Sequence, residues 1–474
     1  MDSISDDDLQ GRLAFDNPWW AFTEATQVRF RHPPRRAFFP AFADRVRRAP
    51  AGTAVVVAGP LRAGKTVLLR QMIAALIEGG TPPTSILYAA LTTPSYTARD
   101  LARLVALFAA RHGHDETAAL TLFLDEVEYM GDWQPALAAI AKAWPRARIV
   151  AAMSALAPAL VGGPVPAAKG IEMFVLPPLT FAEFLRLRNS ETALFGGAAD
   201  GAPRPASLGR GALAALNEEF HRYVNFGGFP EGVLARPGGA PAPTFIREGV
   251  PERVLHKDLA SLAGVNDAQE LNRLFAILAL NTGREVTMEE LAQAAGIAKN
   301  TLRKYLDYLE GAFLIRRLAR VDKLAKRFQR AVAFKVHLTA SCLYAALFGP
   351  VPADDARFPR LAETALAAQW LGGANAGDLA YASWRGGGVD LLTMPAGSNR
   401  PERAFEIDWQ DGYGNGAEKL RTLTAFVQDT NAQARAYILT RTVARRATMA
   451  GLDITLVPLA LYAYWLGRAV PVLD

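Results

Sequence analysis

Cysteine is nearly absent. Cys342 is the only one in 474 residues, which excludes an intrachain disulfide framework and fits a reducing compartment. Its flanks, Ala340-Ser341 and Leu343, are small or apolar, so the expectation is a buried structural thiol rather than a nucleophile. Histidine is also scarce: the six are scattered, and none forms a zinc pattern with the lone cysteine. No apolar run reaches the roughly 18 residues of a membrane span. Met1 to Asp8 is acidic and lacks the basic and apolar segments of a secretory signal, so a cytoplasmic location without membrane partners is expected. No internal repeat is visible, and the net charge of +6 is modest. What is present is apolar mass: 51% of the residues are hydrophobic, enough for sizeable cores, and the length suggests two to four domains.

Against this background, Gly59-Pro60-Leu61-Arg62-Ala63-Gly64-Lys65-Thr66 stands out. It follows a run of small and β-branched residues, Thr53 to Ala58, and precedes a helical pattern from Val67 to Ile77. That is the Walker A spacing in its strand-loop-helix context, so Gly59 through Val67 are the candidate nucleotide-binding residues. Gly59 and Gly64 let the backbone curl so that successive N–H groups face one concavity, and the helix adds its positive N-terminus, which suits a polyphosphate. Lys65 supplies a mobile cation for the β- and γ-phosphates, and the Thr66 hydroxyl can ligate magnesium. The bland alternative is a glycine-rich turn that only joins strand to helix.

Further on, Leu122-Phe123-Leu124-Asp125-Glu126 reads as an apolar strand ending in two carboxylates, the Walker B arrangement. Asp125 is expected to hold magnesium, directly or through water, and Glu126 to act as general base on the attacking water. A buried strand with a charged edge is the plainer reading. The expected cofactors are therefore ATP and Mg2+.

Positive charge is concentrated between Arg316 and Lys335, where Arg316, Arg317, Arg320, Lys323, Lys326, Arg327, Arg330 and Lys335 stand against Asp322. Such a cluster fits a phosphate backbone, an acidic protein partner or simply a solvated basic face. Before it, Thr287 to Leu306 reads as a capped helix, a glycine turn at Gly296 and a second helix opened by Asn300 or Thr301. Thr287 with Glu290 has the capping-box pattern. Leu291, Ala292, Ala295, Ile297, Leu302 and Leu306 share an apolar face, the pattern of a helix-turn-helix, with Lys299, Asn300, Arg303 and Lys304 on the exposed side of its second helix. Tyr308 to Ile315 would continue into the wing of a winged helix, serving DNA or protein contacts. Gly196–Arg210, Pro237–Pro243 and Phe348–Asp355 have linker composition, whereas Asn217–Val224 and Ile246–Leu280 have helical patterns.

These segments, in this order, resemble bacterial and archaeal AAA+ ATPases that carry a C-terminal domain of unknown function with a restriction-nuclease-like core. The residues that carry the resemblance are Asn17-Pro18, the phosphate loop, LFLDEVEYMGDW with Trp133, Leu176 to Phe184 (LPPLTFAEF), Phe226 to Glu231 (FGGFPE), Lys257-Asp258 and the ending LEGAFLIRRL. It implies an α/β fold: a RecA-like core with a parallel sheet over 1–190, a helical lid over 211–275, a winged helix over 276–345 and a C-terminal α/β PD-(D/E)XK-like domain over 356–474. A homo-oligomer is implied as well. The family's serine-rich sensor segment is reduced here to Ala152-Met153-Ser154, leaving Ser154 as the catalytic sensor of the γ-phosphate. The arginine usual before the LPPLTF-like segment is missing, with Lys169-Gly170 nearby. Arg146 and Arg148 are the candidates for an arginine finger, set against the plainer reading as surface charges at a helix end.

In the C-terminal region the nuclease resemblance places a metal site at Glu363, Asp390 and Glu406, whose oxygens suit magnesium. Asp408 stands where that family has lysine. An anion in place of that cation makes phosphodiester cleavage hard to explain, so the expectation is an inactive nuclease-like domain used for binding or assembly. The whole chain is expected to be an ATP-driven enzyme acting on DNA or a protein partner. A slowly hydrolysing switch or scaffold is the alternative, and an active nuclease ranks last.

Overall fold

Five uniformly buried residues, Ala54–Ala58, form strand β1, and comparable apolar runs form β2 (Ile86–Ala90), β3 (Thr121–Asp125), β4 (Arg148–Met153) and β5 (Ile171–Val175). Runs this apolar suit strands covered on both faces, as in parallel sheets. In this computed structural model they pair in parallel in the order β2-β3-β4-β1-β5. The crossovers contain the helices Lys65–Glu78, Leu101–His112 and Trp133–Ala143. This parallel sheet with crossover helices is the RecA-like α/β arrangement that the resemblance implied. Residues 4–21, 28–29, 31–96, 100–130, 132–154, 170–196, 209–234, 242–255, 268–328, 333–372, 379–395, 397–412, 417–449 and 451–469 are described. Lys169, Lys257, Asp258 and Arg330, singled out from the sequence, lie outside them.

The chain divides into two compact units, Met1–Leu176 and Pro177–Asp474. In the first, β2 is an edge strand, and the N-terminal segment covers its open hydrogen-bonding groups. The buried Asn17 amide donates to Tyr88 O at 2.9 Å and accepts from Tyr88 N at 2.6 Å, as a neighbouring strand would. Trp19 and Trp20 both donate their indole N–H to Ile86 O.

The second unit is built on a nine-stranded mixed sheet. Its strands are β6 (Arg284–Thr287), β7 (Ile315–Val321), β8 (Ala333–Leu338), β9 (Leu379–Trp384), β10 (Gly387–Thr393), β11 (Arg403–Asp408), β12 (Arg435–Thr440), β13 (Arg445–Met449) and β14 (Leu452–Pro458), ordered β13-β14-β12-β11-β10-β9-β7-β8-β6. Thr287 and Glu290 do form a capping box, opening the helix Met288–Ala295, which ends on Gly296 at φ 72°. The second helix, Lys299–Gly311, starts earlier than the sequence suggested: Ala298, rather than Asn300 or Thr301, is its N-cap. β8 lies between β7 and β6 and pairs antiparallel with both, and β7 also pairs in parallel with β9. One sheet therefore runs through both the 276–345 and the 356–474 segments. Leu392, Ala404, Leu423, Phe426, Ile438 and Ile454 belong to the apolar core packed on its C-terminal half. The helical stretch expected over Ile246–Leu280 contains a π-helical turn, Glu248–Glu252, and the helix Ala268–Leu280.

Candidate functional site

The phosphate loop lies at the carboxyl end of β1, the end of a parallel sheet where crossover loops leave room for a ligand. A Cβ at Gly59 would lie 2.1 Å from the Leu176 carbonyl oxygen, so only glycine fits that approach. Gly64 sits at φ 98° and Arg62 at φ 64°, and these left-handed positions turn the loop into the N-terminus of the Lys65–Glu78 helix. Arg36 braces the loop from outside, donating to Ala63 O at 2.6 Å. Within it, Lys65 Nζ donates to the carbonyls of Gly59 at 2.9 Å and Pro60 at 2.8 Å.

Parallel pairing of β3 with β4 and of β4 with β1 brings the other expected residues to the same edge. Thr66 Oγ1 donates to Asp125 Oδ2 at 2.7 Å, and Tyr88 OH donates to the same oxygen at 2.9 Å. Asp125 Oδ1 is buried without a hydrogen-bond partner. Burial pushes the Asp125 carboxyl above its ordinary value; the donors on Oδ2 act in the opposite direction. An orphaned carboxylate oxygen beside a threonine hydroxyl is the donor set a magnesium ion takes, so Thr66 and Asp125 fit that ion. Glu126 follows at φ 60°, and its Oε2 accepts from Thr92 Oγ1 at 2.6 Å. Ser154 closes β4, buried.

Sequence reasoning missed several contributors. Glu128 Oε1 accepts the backbone N–H of Ser154 at 2.6 Å, tying the end of β4 to the turn after β3. Burial pushes its carboxyl up to about 8, against the Ser154 hydrogen bond. The third acid of Asp125-Glu126-Val127-Glu128 was the available signal. Tyr88, Thr92 and Arg36 left none, because their roles arise from pairing distant in sequence. Arg146 donates to Thr117 O at 3.1 Å, and Arg148 begins β4, whose other end meets the phosphate loop. Six residues of strand, about 3.3 Å each, separate the ends, so neither arginine reaches the loop of its own chain.

In the second unit two of the three carboxylates of the nuclease resemblance, Glu363 and Asp390, meet a residue from another motif, and Glu406 lines the same cavity as Asp390. Glu363 lies on the Phe358–Ala368 helix, Asp390 on β10 and Glu406 on β11. Lys335, read from sequence as part of the basic face, is buried and 2.8 Å from Glu363 Oε1. Arg317 pairs with Glu310 and Asp307, and Arg320 with Glu285. The basic face is thereby reduced, with Lys323, Lys326 and Arg327 exposed, as are Arg303 and Lys304 of the second helix. Asp408 Oδ1 accepts Gly412 N–H at 3.0 Å. The thiol of Cys342 is buried and pushed well above its ordinary range, as a structural cysteine's is.

Residues 51–185 match the AAA domain family, spanning the phosphate loop, the strand acids and Ser154. Residues 217–354 match a domain of unknown function, DUF8612. An uncharacterized protein of Haemophilus influenzae is 24% identical over 293 residues, 59% of this chain and 65% of its own length, so the chain spans just under two thirds of that relative. Among solved structures, the Thermotoga maritima RuvB Holliday junction branch migration motor is 17% identical, with 61% of this chain and 93% of that one covered and a TM-score of 0.31. C. elegans PCH-2 is 14% identical over 52% of this chain and 72% of that one, with a TM-score of 0.27. AMPPCP-bound DnaA from Aquifex aeolicus is 11% identical over 57% and 86%, with a TM-score of 0.27.

Proposed function

We propose that this chain binds ATP with magnesium at the Gly59–Val67 loop and hydrolyses it to drive a conformational change on DNA or a protein partner. The observation that carries this reading is Asp125, whose Oδ2 is held by Thr66 and Tyr88 while Oδ1 is buried and unpartnered beside a phosphate loop. Lys65 would exchange two neutral carbonyl acceptors for phosphate oxygens, a stronger charge-assisted contact. Loop N–H groups and the helix N-terminus would receive the remaining phosphate charge. Magnesium, when bound to Thr66 and Asp125, supplies neutralisation of charge on the β- and γ-phosphates. Glu126 would take the proton of the attacking water, and Ser154, fixed through its backbone by Glu128, would contact the γ-phosphate.

Exposed Arg303, Lys304, Lys323, Lys326 and Arg327 support a nucleic-acid partner through a winged-helix reading of 276–345. A homo-oligomer and a cytoplasmic location belong to the same proposal. Among the described residues no helix is long and apolar enough to cross a membrane.

One observation favours a slow switch instead: the Thr92 hydroxyl occupies an oxygen of Glu126, the base itself. Thr92→Val should raise basal turnover several-fold if that bond restrains Glu126; unchanged turnover assigns Thr92 no such role.

Steady-state ATP hydrolysis with and without duplex DNA tests the main reading. Glu126→Gln should keep ATP binding and lose about 100-fold or more in turnover, since its amide accepts no proton. Lys65→Ala should lose nucleotide affinity. Normal turnover in Glu126→Gln would remove Glu126 as base, and bound ATP with no turnover in the parent would favour the switch.

A further inference from the structure

Asp390 and Glu406 lie on adjacent antiparallel strands, and the Asp390 Oδ2 atom accepts the Ile407 N–H at 3.0 Å. Glu363 approaches from its helix, and Lys335 enters from β8, a strand that belongs to neither carboxylate hairpin nor helix. Lys335 Nζ lies 2.8 Å from Glu363 Oε1, 3.0 Å from the Asp390 carbonyl and 3.8 Å from Asp390 Oδ1. We propose that the Lys335 ammonium takes the place a divalent cation would hold in this carboxylate cluster, so that the cluster is closed by an internal cation and holds no metal in the native chain. This concerns the second unit alone and does not rest on the ATPase reading.

The chemistry supports an ammonium in that place. Two carboxylates, Glu363 at 2.8 Å and Asp390 at 3.8 Å, face the buried Lys335 ammonium and compensate its charge. His337, the other nitrogen base at Glu363, is more distant, at 3.5 Å from Glu363 Oε1, and its Nδ1 is paired with Thr364 Oγ1 at 3.1 Å. A divalent ion needs carboxylate oxygens at about 2.0–2.6 Å, and the Glu363 oxygen is already committed to an ammonium that would repel it. Among the described residues, no three histidine, cysteine, aspartate or glutamate side chains converge closely enough to hold a metal. The cluster is not sealed: a cavity of about 350 Å³, lined by Glu285, Lys335, Gly387, Asp390 and Glu406, reaches it, so a solvent cation has access. The basic residue that seemed to belong to a docking face is thus spent internally.

Mn2+ binding to the full chain without nucleotide, followed by electron paramagnetic resonance, tests this. Asp125→Asn serves as the parent, to remove the acid ligand of the phosphate-loop site. The parent should hold no Mn2+ that Asp390→Asn abolishes. Lys335→Met should gain one bound Mn2+ per chain, lost again with Asp390→Asn, and Mn2+ should raise the melting temperature of Lys335→Met but not of the parent. If Lys335→Met fails to fold, Lys335→Met with Glu363→Gln relieves the uncompensated buried charge and should still bind one Mn2+ through Asp390 and Glu406. Parent binding lost on Asp390→Asn would overturn the proposal, since the lysine would then accompany a metal rather than replace it. Folded lysine variants that gain no Mn2+ would overturn it equally.

Discussion

Glu128 lies beyond the pair of acids at the strand end, and burial raises its carboxyl as well. Its Oε1 holds Ser154 N–H, and its Oε2 is buried without a partner. Burial raises the folded carboxyl to about 8, while the unfolded chain titrates it in the ordinary carboxylate range near 4.3. Between those values the folded state carries a proton the unfolded state has lost, so stability falls as pH rises. The slope from this one group is about 1.4 kcal/mol per pH unit at most. Glu128→Gln keeps an acceptor for Ser154 and removes the titration. Denaturant melts at a series of pH values should therefore show a flatter profile below about pH 8 in the variant. An unchanged profile would mean that Glu128 is already ionised in the folded chain.

At the level of the element, the vulnerable piece is β2. It is an edge strand of the parallel sheet, and its carboxyl end leads directly to Thr92, which donates to Glu126. Asn17 satisfies both the N–H and the carbonyl of Tyr88 from a segment outside the sheet, and also reaches Leu13 O. Asn17→Ala would leave two buried backbone groups of β2 without partners, each costing about 1–3 kcal/mol. A loss of about 3 kcal/mol in urea unfolding of the first unit is expected, together with faster amide exchange at Tyr88. A loss below 0.5 kcal/mol would show that water replaces the asparagine. The second unit offers a contrast. Thr287–Glu290 caps its helix from within a single turn, so that local feature was visible in sequence and forms as read. The β7–β9 pairing, by which one sheet crosses from the helix-turn-helix segment into the carboxylate-bearing segment, had no local mark.

For the whole molecule, a ligand that binds only the folded chain adds stability by mass action, about 2.7 kcal/mol at a hundredfold excess over its Kd. MgATP should raise the melting temperature of the parent and of Glu126→Gln and leave Lys65→Ala unmoved. A shift of equal size in Lys65→Ala would place nucleotide binding elsewhere. The phosphate loop, the strand acids Asp125 and Glu126 and the helix-turn-helix were legible in sequence because each depends on neighbours within one turn or one strand end. Glycine at 59 and 64, lysine and threonine at the helix start and a carboxylate closing an apolar strand specify their geometry by spacing alone. Tertiary structure decided the rest. Whether Arg317, Arg320 and Lys335 formed a docking face or ion pairs depended on which acids folding brought to them. Glu310 and Asp307 reach Arg317 from the preceding helix, whereas Glu285 reaches Arg320 and Glu363 reaches Lys335 from elements farther away in the chain. The composition set the number of charges. Tertiary packing determined which of them face solvent, because a charge is buried where its partner is brought to it.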